Sequence, residues 1–266
     1  MQNRYTGDIG DYSKLGLLRA LLPCNIPIGI NWYLVPDETH NSDGRHVKYL
    51  ERDVFRQCDE ELWRELGEVG HNGERNVRSL QSENILPAVH YSAVLDFSGK
   101  KRNEREEIRR TWHRRAMKQL SGAGIICTDP DNGLIVPSAR GTVRENKFIM
   151  PDEIRDYYLH GSSVIYYQHK ARKLDKFYVS QHQKKPLGLP DERNHGQLRH
   201  RHLLYDFCFK IAVGDGHLRF FPAQSGENLF DLCTERLLFL ALACQVHLFE
   251  RYFGTFRIYQ SGNHTF

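Results

Sequence analysis

The chain has 266 residues, 40% of them hydrophobic, a formal net charge of +4 and an isoelectric point near 8.7. This supplies enough apolar content for one α/β domain, and the charge admits a polynucleotide partner without the excess of a histone-like tail. Cysteines at 24, 58, 127, 208, 233 and 244 form no Cys-x-x-Cys pair, which excludes a zinc ribbon or a disulfide framework as the organising device.

No apolar h-region follows MQNRYTGDIG, so no signal peptide is visible. The longest apolar stretch, LLFLALACQVHLF, is shorter than the roughly 20 residues a bilayer requires. A reduced, soluble, cytoplasmic protein without a membrane partner is expected. No internal repeat or low-complexity tract interrupts the chain.

DIGDYSKLGLLRALL places Tyr12, Leu15, Leu18 and Leu22 near helical spacing, with Asp8 as N-cap. PIGINWYLV reads as a strand stopped by Pro36. DEELWRELGEVG reads as a helix with Leu62 and Leu66 on one face, and AVHYSAVLDF as a strand. EREEIRRTWHRRAMKQL is the most periodic segment, with Ile108, Trp112, Ala116 and Leu120 four residues apart. Its acidic residues come first and its basic ones last, as the helix dipole favours.

The strand GIICTD follows, then the Asn-Gly turn signal in DPDNGL. MPDEIRDYYLHG reads as a helix with Pro151 in its first turn and Gly161 at its end. SSVIYYQH reads as a strand. A basic insertion at about 170–202 precedes FCFKIAV and HLRFFPA, whose GDG connection signals a hairpin. An apolar helix over roughly 227–252 completes the order. Strands alternating with helices predict a single α/β domain over 1–266, with a mostly parallel, Rossmann-like sheet covered by helices and a C-terminal antiparallel hairpin.

Ligands of such sheets bind beyond the carboxyl ends of the strands. Two strand ends here are polar: 37–45, after NWYLV, and 129–132, after GIIC. Asp129 directly follows an apolar strand, where a charge needs a compensating partner. Asp, Asn, Pro and Gly also favour ordinary turns, so a solvated turn is the plain alternative.

At these residues the chain resembles a known family. Gly7, Asp11 and Lys14 in GDIGDYSKLGLL, Thr39, His40, Gly44 and Arg45 in YLVPDETHNSDGR, and the following YLE are similar to segments of the bacterial large-subunit rRNA adenine-N6 methyltransferases. These belong to the class I S-adenosylmethionine-dependent fold. DPDN of GIICTDPDNGL stands in the place of that family's Asp-Pro-Pro-Tyr motif. The chain also resembles uncharacterised bacterial proteins sharing GDIGD and DPDNGL.

The first resemblance implies S-adenosylmethionine as cofactor, held by Lys14, Thr39, His40 and Gly44. It also implies a catalytic segment Asp129, Pro130, Asp131 and Asn132, with N6-adenine methyl transfer as the reaction. Such chemistry uses an acidic or amide acceptor and a proline-fixed carbonyl to hold an exocyclic amine, with an aromatic stacked on the flipped base. Here Asp131 replaces the second proline and Asn132 the aromatic, while Asn41-Ser42-Asp43 stand where small residues let the cofactor approach.

A rival reading takes Asp131, Glu145 and Lys147 as a PD-(D/E)XK nuclease, two carboxylates holding Mg²⁺ and a lysine supporting the attacking water. It needs 133–150 to form a hairpin in which Glu145 and Lys147 share a strand face; a solvated ion pair is the bland alternative. Asp11 and Lys14, three apart on a helix, read as a surface pair. His195, His200 and His202 read as part of a basic loop. Two basic segments form a candidate phosphate-backbone footprint: Arg109, Arg110, Arg114 and Arg115 on the periodic helix, and Lys170, Arg172 and Lys173 beyond the last parallel strand. A third expectation is a catalytically inactive nucleic-acid-binding accessory subunit, favoured by the missing glycines and aromatic.

Overall fold

A computed structural model describes residues 1–38, 46–71, 75–82, 84–169, 209–210 and 216–221. Along the chain run α1 (Ile9–Ala20), β1 (Ile28–Asn31), α2 (Asp53–Cys58), α3 (Glu60–His71), β2 (Val89–Tyr91), α4 (Arg102–Gln119), β3 (Ile125–Thr128), β4 (Gly133–Leu134), β5 (Phe148–Ile149), α5 (Pro151–Leu159), β6 (Ser163–His169), β7 (Phe209–Lys210) and β8 (Gly216–Phe221). The main sheet has the order β2-β1-β3-β6-β8-β7. Its first four strands are mutually parallel, and β8 pairs antiparallel with both β6 and β7. This is the expected α/β class.

Side chains alternate across each strand, and here both faces are covered. Ile28, Ile30, Ile125, Cys127 and Ile165 join Leu15 and Leu18 of α1 and Leu62 and Leu66 of α3 in one core. Ile126, Val164 and Tyr166 join Trp112, Ala116 and Leu120 of the α4 segment and Ile154 and Tyr157 of α5 in another. Strands covered on both faces read as apolar runs, as IICT does. Each fully buried Leu, Ile or Val contributes about 1.5–3 kcal/mol. Gly29 is required by the second layer: a Cβ there would lie 2.9 Å from the Cβ of Ala123, in the turn between α4 and β3.

The local signals held at several ends. Asp8 is the N-cap of α1, its side chain accepting from the Asp11 amide at 3.1 Å. Pro151 opens α5, and Gly161 follows it at φ +90. Trp112, Ala116 and Leu120 are buried along one stripe.

Three expectations changed. The first strand stops at Asn31 because Tyr33 takes φ +44, and the Asn31 side chain accepts from the Tyr33 amide at 3.1 Å. The buried chain beyond is held by other bonds, Val35 N–H to Met1 C=O at 3.0 Å and Leu95 N–H to Leu34 C=O at 2.7 Å. The second strand likewise contracts to Val89–Tyr91.

The segment 133–150 is not a hairpin: β4 and β5 pair in parallel around 3₁₀ turns at Pro137–Ala139 and Val143–Lys147. The Arg109 guanidinium pins that segment by donating to the carbonyls of Glu145 (3.0 Å) and Phe148 (2.7 Å). The expected insertion at 170–202 and the helix over 227–252 lie outside the described residues. Among the described residues no helix is long and apolar enough to cross a membrane.

Candidate functional site at the strand ends

From β1 the chain passes to β2 on one side and then, through α4, to β3 on the other. The carboxyl ends of β1 and β3 therefore flank the topological switch point, where open α/β sheets bind ligands. Asp129 sits there, its amide donating to the Asn31 carbonyl at 3.0 Å.

Lys14 reaches this point from α1. Its Nζ lies 2.6 Å from Asp129 Oδ2 and 2.9 Å from Asp11 Oδ1, and 5.6 Å from the centre of the Tyr167 ring. Asp11 is fully buried and also accepts from the Gly7 amide at 2.8 Å. The expected surface pair is thus a buried one, and the charge of Asp129 has its compensating partner. Lys14, placed with the cofactor by the resemblance, and Asp129, placed with the catalytic segment, are brought into one ion pair.

Protonation follows from that crowding. Burial raises the Asp8 carboxyl to about 7, with the Asp11 charge adding to the rise and the Lys14 charge opposing it. Burial also raises Asp11, the Lys14 charge opposing. For Lys14 burial alone would favour the neutral amine, but Asp11, Asp129 and Asp8 together raise it well above the ordinary lysine value. Burial pushes the neighbouring Cys127 thiol up to about 12, leaving it an unreactive thiol at neutral pH.

Asp131 faces a different set of groups. Its Oδ1 lies 2.6 Å from the Met1 amino group and its Oδ2 accepts from Gln2 Nε2 at 2.7 Å. Burial opposes ionisation there, yet the Met1 ammonium and the Gln2 amide outweigh it and hold the carboxyl below its usual value. The same amino group donates to the Asp129 carbonyl at 2.9 Å. Lys147 pairs with Glu38 and lies 3.9 Å from Asp131. Pro130 is buried, and the Asn132 amide donates to the Lys147 carbonyl at 3.0 Å.

On the opposite sheet face lies a second buried pair. Arg109 donates to Glu153 through Nε at 2.8 Å and Nη2 at 2.7 Å, a bidentate geometry. Glu153 Oε2 also accepts from the Tyr33 hydroxyl at 3.0 Å and the Met150 amide at 2.9 Å. Burial opposes the Glu153 charge, but Arg109 holds the carboxyl below its usual value.

Arg109 therefore leaves the proposed phosphate footprint: it is buried, and its donors serve the interior. Arg114 and Arg115 are exposed, as is Arg110, which pairs with Glu107 at 2.7 Å. Thr39, His40, Gly44, Lys170, Arg172 and Lys173, like His195, His200 and His202, lie outside the described residues.

The nuclease set does not lie on the strand expected for it. Glu145 and Lys147 lie in a 3₁₀ helix, so the alternation that would put them on one strand face is absent. The Glu145 carboxylate accepts from the Gly141 amide while Asp131 holds Met1 and Gln2. No three His, Cys, Asp or Glu side chains group as a metal site among the described residues. The Lys14 ammonium is likewise engaged, lying between two carboxylates.

Sequence reasoning missed Tyr33, Glu153, Asn31 and Tyr157, the last two joined by Asn31 Nδ2 donating to the Tyr157 hydroxyl at 2.9 Å. One signal was available: a glutamate three residues after a helix N-cap, which reaches back to the N-cap amide, as Glu153 does.

Comparison with family models, with curated proteins and with solved structures finds no match for this chain.

Proposed function

We propose that the protein binds nucleic acid on a methyltransferase-like scaffold, as an accessory subunit in which Asp129 is a structural partner and not the acceptor of a target amine. The observation that carries this reading is the Lys14–Asp129 contact at 2.6 Å. Lys14 occupies Oδ2 of Asp129, and a buried ammonium held there competes with a target amine for the carboxylate. Asn132 adds no aromatic surface on which a flipped base would stack. Exposed Arg110, Arg114 and Arg115 supply the cationic face for a phosphate backbone.

A second reading, N6-adenine methyl transfer, is favoured by the place of Asp129 at the switch point between β1 and β3. Calorimetric titration with S-adenosylmethionine separates the two. The accessory reading expects no heat at millimolar ligand, together with oligonucleotide binding that weakens steeply with salt. In Arg114→Gln/Arg115→Gln the slope of log K against log salt is expected to fall by about 2, near 1 per lost phosphate contact. Saturable heat, with methyl incorporation abolished in Asp129→Asn, would establish the second reading instead. Absence of salt-sensitive binding to both DNA and RNA would remove both.

A further inference from the structure

The first turns of α4 carry a polar feature that the Asp129 site does not use. Between them and segment 140–145 lies a cleft of about 220 Å³ lined by Arg102, Arg105, Arg140, Glu106, Gly141 and Glu145. Three guanidinium groups and two carboxylates therefore share one small concavity, and the carboxylates are already engaged. Glu106 accepts from Arg102 Nε at 3.1 Å, and Glu145 accepts from the Gly141 amide.

Arg105 is fixed in place, donating to the Lys100 carbonyl through Nη1 and to the Gly141 carbonyl through Nη2, both at 2.7 Å. Arg102 lies flat against Gly141: a Cβ there would stand 3.4 Å from the guanidinium carbon, and the backbone has φ +71. Glycine thus makes room for the cation. Arg140 is exposed on the rim, and its side chain makes no hydrogen bond or ion pair with a described residue.

An excess of guanidinium over carboxylate suits a planar-faced or tetrahedral anion, and guanidinium forks match phosphate oxygens in pairs. The start of an 18-residue helix adds a favourable dipole for negative charge. Volume sets the size of the ligand. The cleft is below the roughly 300–1,000 Å³ that encloses a drug-sized molecule, so it fits one anionic group and not a base with its sugar.

Position relates it to the switch point. A helix that follows a parallel strand begins at the carboxyl edge of the sheet, so the cleft opens on the same edge as Asp129. The 3₁₀ helix Val143–Lys147 joins them, with Glu145 in the cleft wall and Lys147 beside Glu38 and Asp131.

We propose that this cleft is a binding site for a phosphate group and, resting on the nucleic-acid reading above, that it holds a backbone phosphate of the polynucleotide. Arg102 and Arg140 face the ligand, Arg105 sets the depth of the cleft, and Glu106 limits affinity by competing for Arg102.

Two titrations on the full chain test this: inorganic phosphate followed by ³¹P line broadening, and an oligonucleotide followed by anisotropy over a range of salt. Arg140→Gln and Arg102→Gln are exposed-site changes, and circular dichroism melting checks that each variant folds like the parent. Each is expected to weaken phosphate binding by about tenfold and to lower the oligonucleotide salt slope by about 1. Glu106→Gln is expected to tighten phosphate binding, an effect that a merely structural role would not produce.

Phosphate binding that is the same in parent and arginine variants, or absent from the parent, overturns the site. Arginine-dependent phosphate binding with an unchanged oligonucleotide slope keeps the phosphate site and overturns its place on the polynucleotide. Arginine-dependent phosphate binding without any oligonucleotide binding keeps the site and overturns the nucleic-acid reading.

Discussion

The two buried charge clusters on either side of the sheet are built on opposite principles. On the α4–α5 side one arginine meets one glutamate in a fork, and the remaining lone pairs and donors go to Tyr33, Met150, Glu145 and Phe148. On the α1 side one lysine faces Asp11 and Asp129 directly, and the charge of Asp8 also acts on it. The first cluster is balanced and serves as a strut between α4 and α5. The second has more carboxylate than cation, and burial, with the neighbouring carboxylates adding to it, raises Asp8 and Asp11. Balanced pairs lock structure, whereas unbalanced ones retain a proton within the physiological range.

The largest effect is expected from breaking the balanced cluster. Arg109→Met removes four donor contacts and leaves Glu153 buried without a cation, which costs about 3–5 kcal/mol. Denaturant unfolding measures it, and a loss below about 1 kcal/mol would mean that the strut is not a strut.

Next comes the pair at the switch point. Lys14→Met strands two carboxylates and is expected to cost about 3 kcal/mol. Adding Asp129→Asn to that variant should restore part of the loss, with a coupling of about 0.5–3 kcal/mol in a double-mutant cycle. Zero coupling would show that the two residues act independently.

The smallest effect concerns protonation. Because Asp8 is raised to about 7 when folded, against 3.8 ordinarily, the folded state binds the extra proton between those values. Its contribution therefore falls as pH rises from about 4 to 7. Asp8→Asn keeps a good N-cap but cannot ionise. The variant should gain on the parent progressively across that window, with the gain complete by about pH 8. The comparison must be a difference between the two proteins. Burial lowers the His90 imidazole to about 4, which tilts the total curve the other way between about 4 and 6.5. A parent-minus-variant curve that is flat with pH would dispose of the Asp8 assignment.

How much was legible in the sequence differs by kind of feature. α1, α3, α4 and α5 were readable because each repeats an apolar stripe and carries its own cap or stop: Asp8, the Leu62–Leu66 pair, the four-residue rhythm to Leu120, and Pro151 with Gly161. β3 and β6 were readable as apolar runs. The ends of β1 and β2 were not, since the break comes from the left-handed backbone at Tyr33, inside a stretch of strong strand formers. The hairpin that the nuclease reading needed at 133–150 does not form, and that segment is held by Arg109 from another element.

Composition and periodicity alone determined that this chain forms a mostly parallel α/β sheet with helices, and that Asp129 falls at a strand end. These depend on neighbours a few residues apart, which any linear reading contains. Tertiary structure alone decided what the charges do. Lys14 finds Asp129 across 115 positions and Arg109 finds Glu153 across 44. One arginine of a basic run is drawn inside while its neighbours stay in solvent. Whether a charge is a strut, a proton store or a ligand contact depends on its desolvation and its partner in space, and neither is written in local sequence.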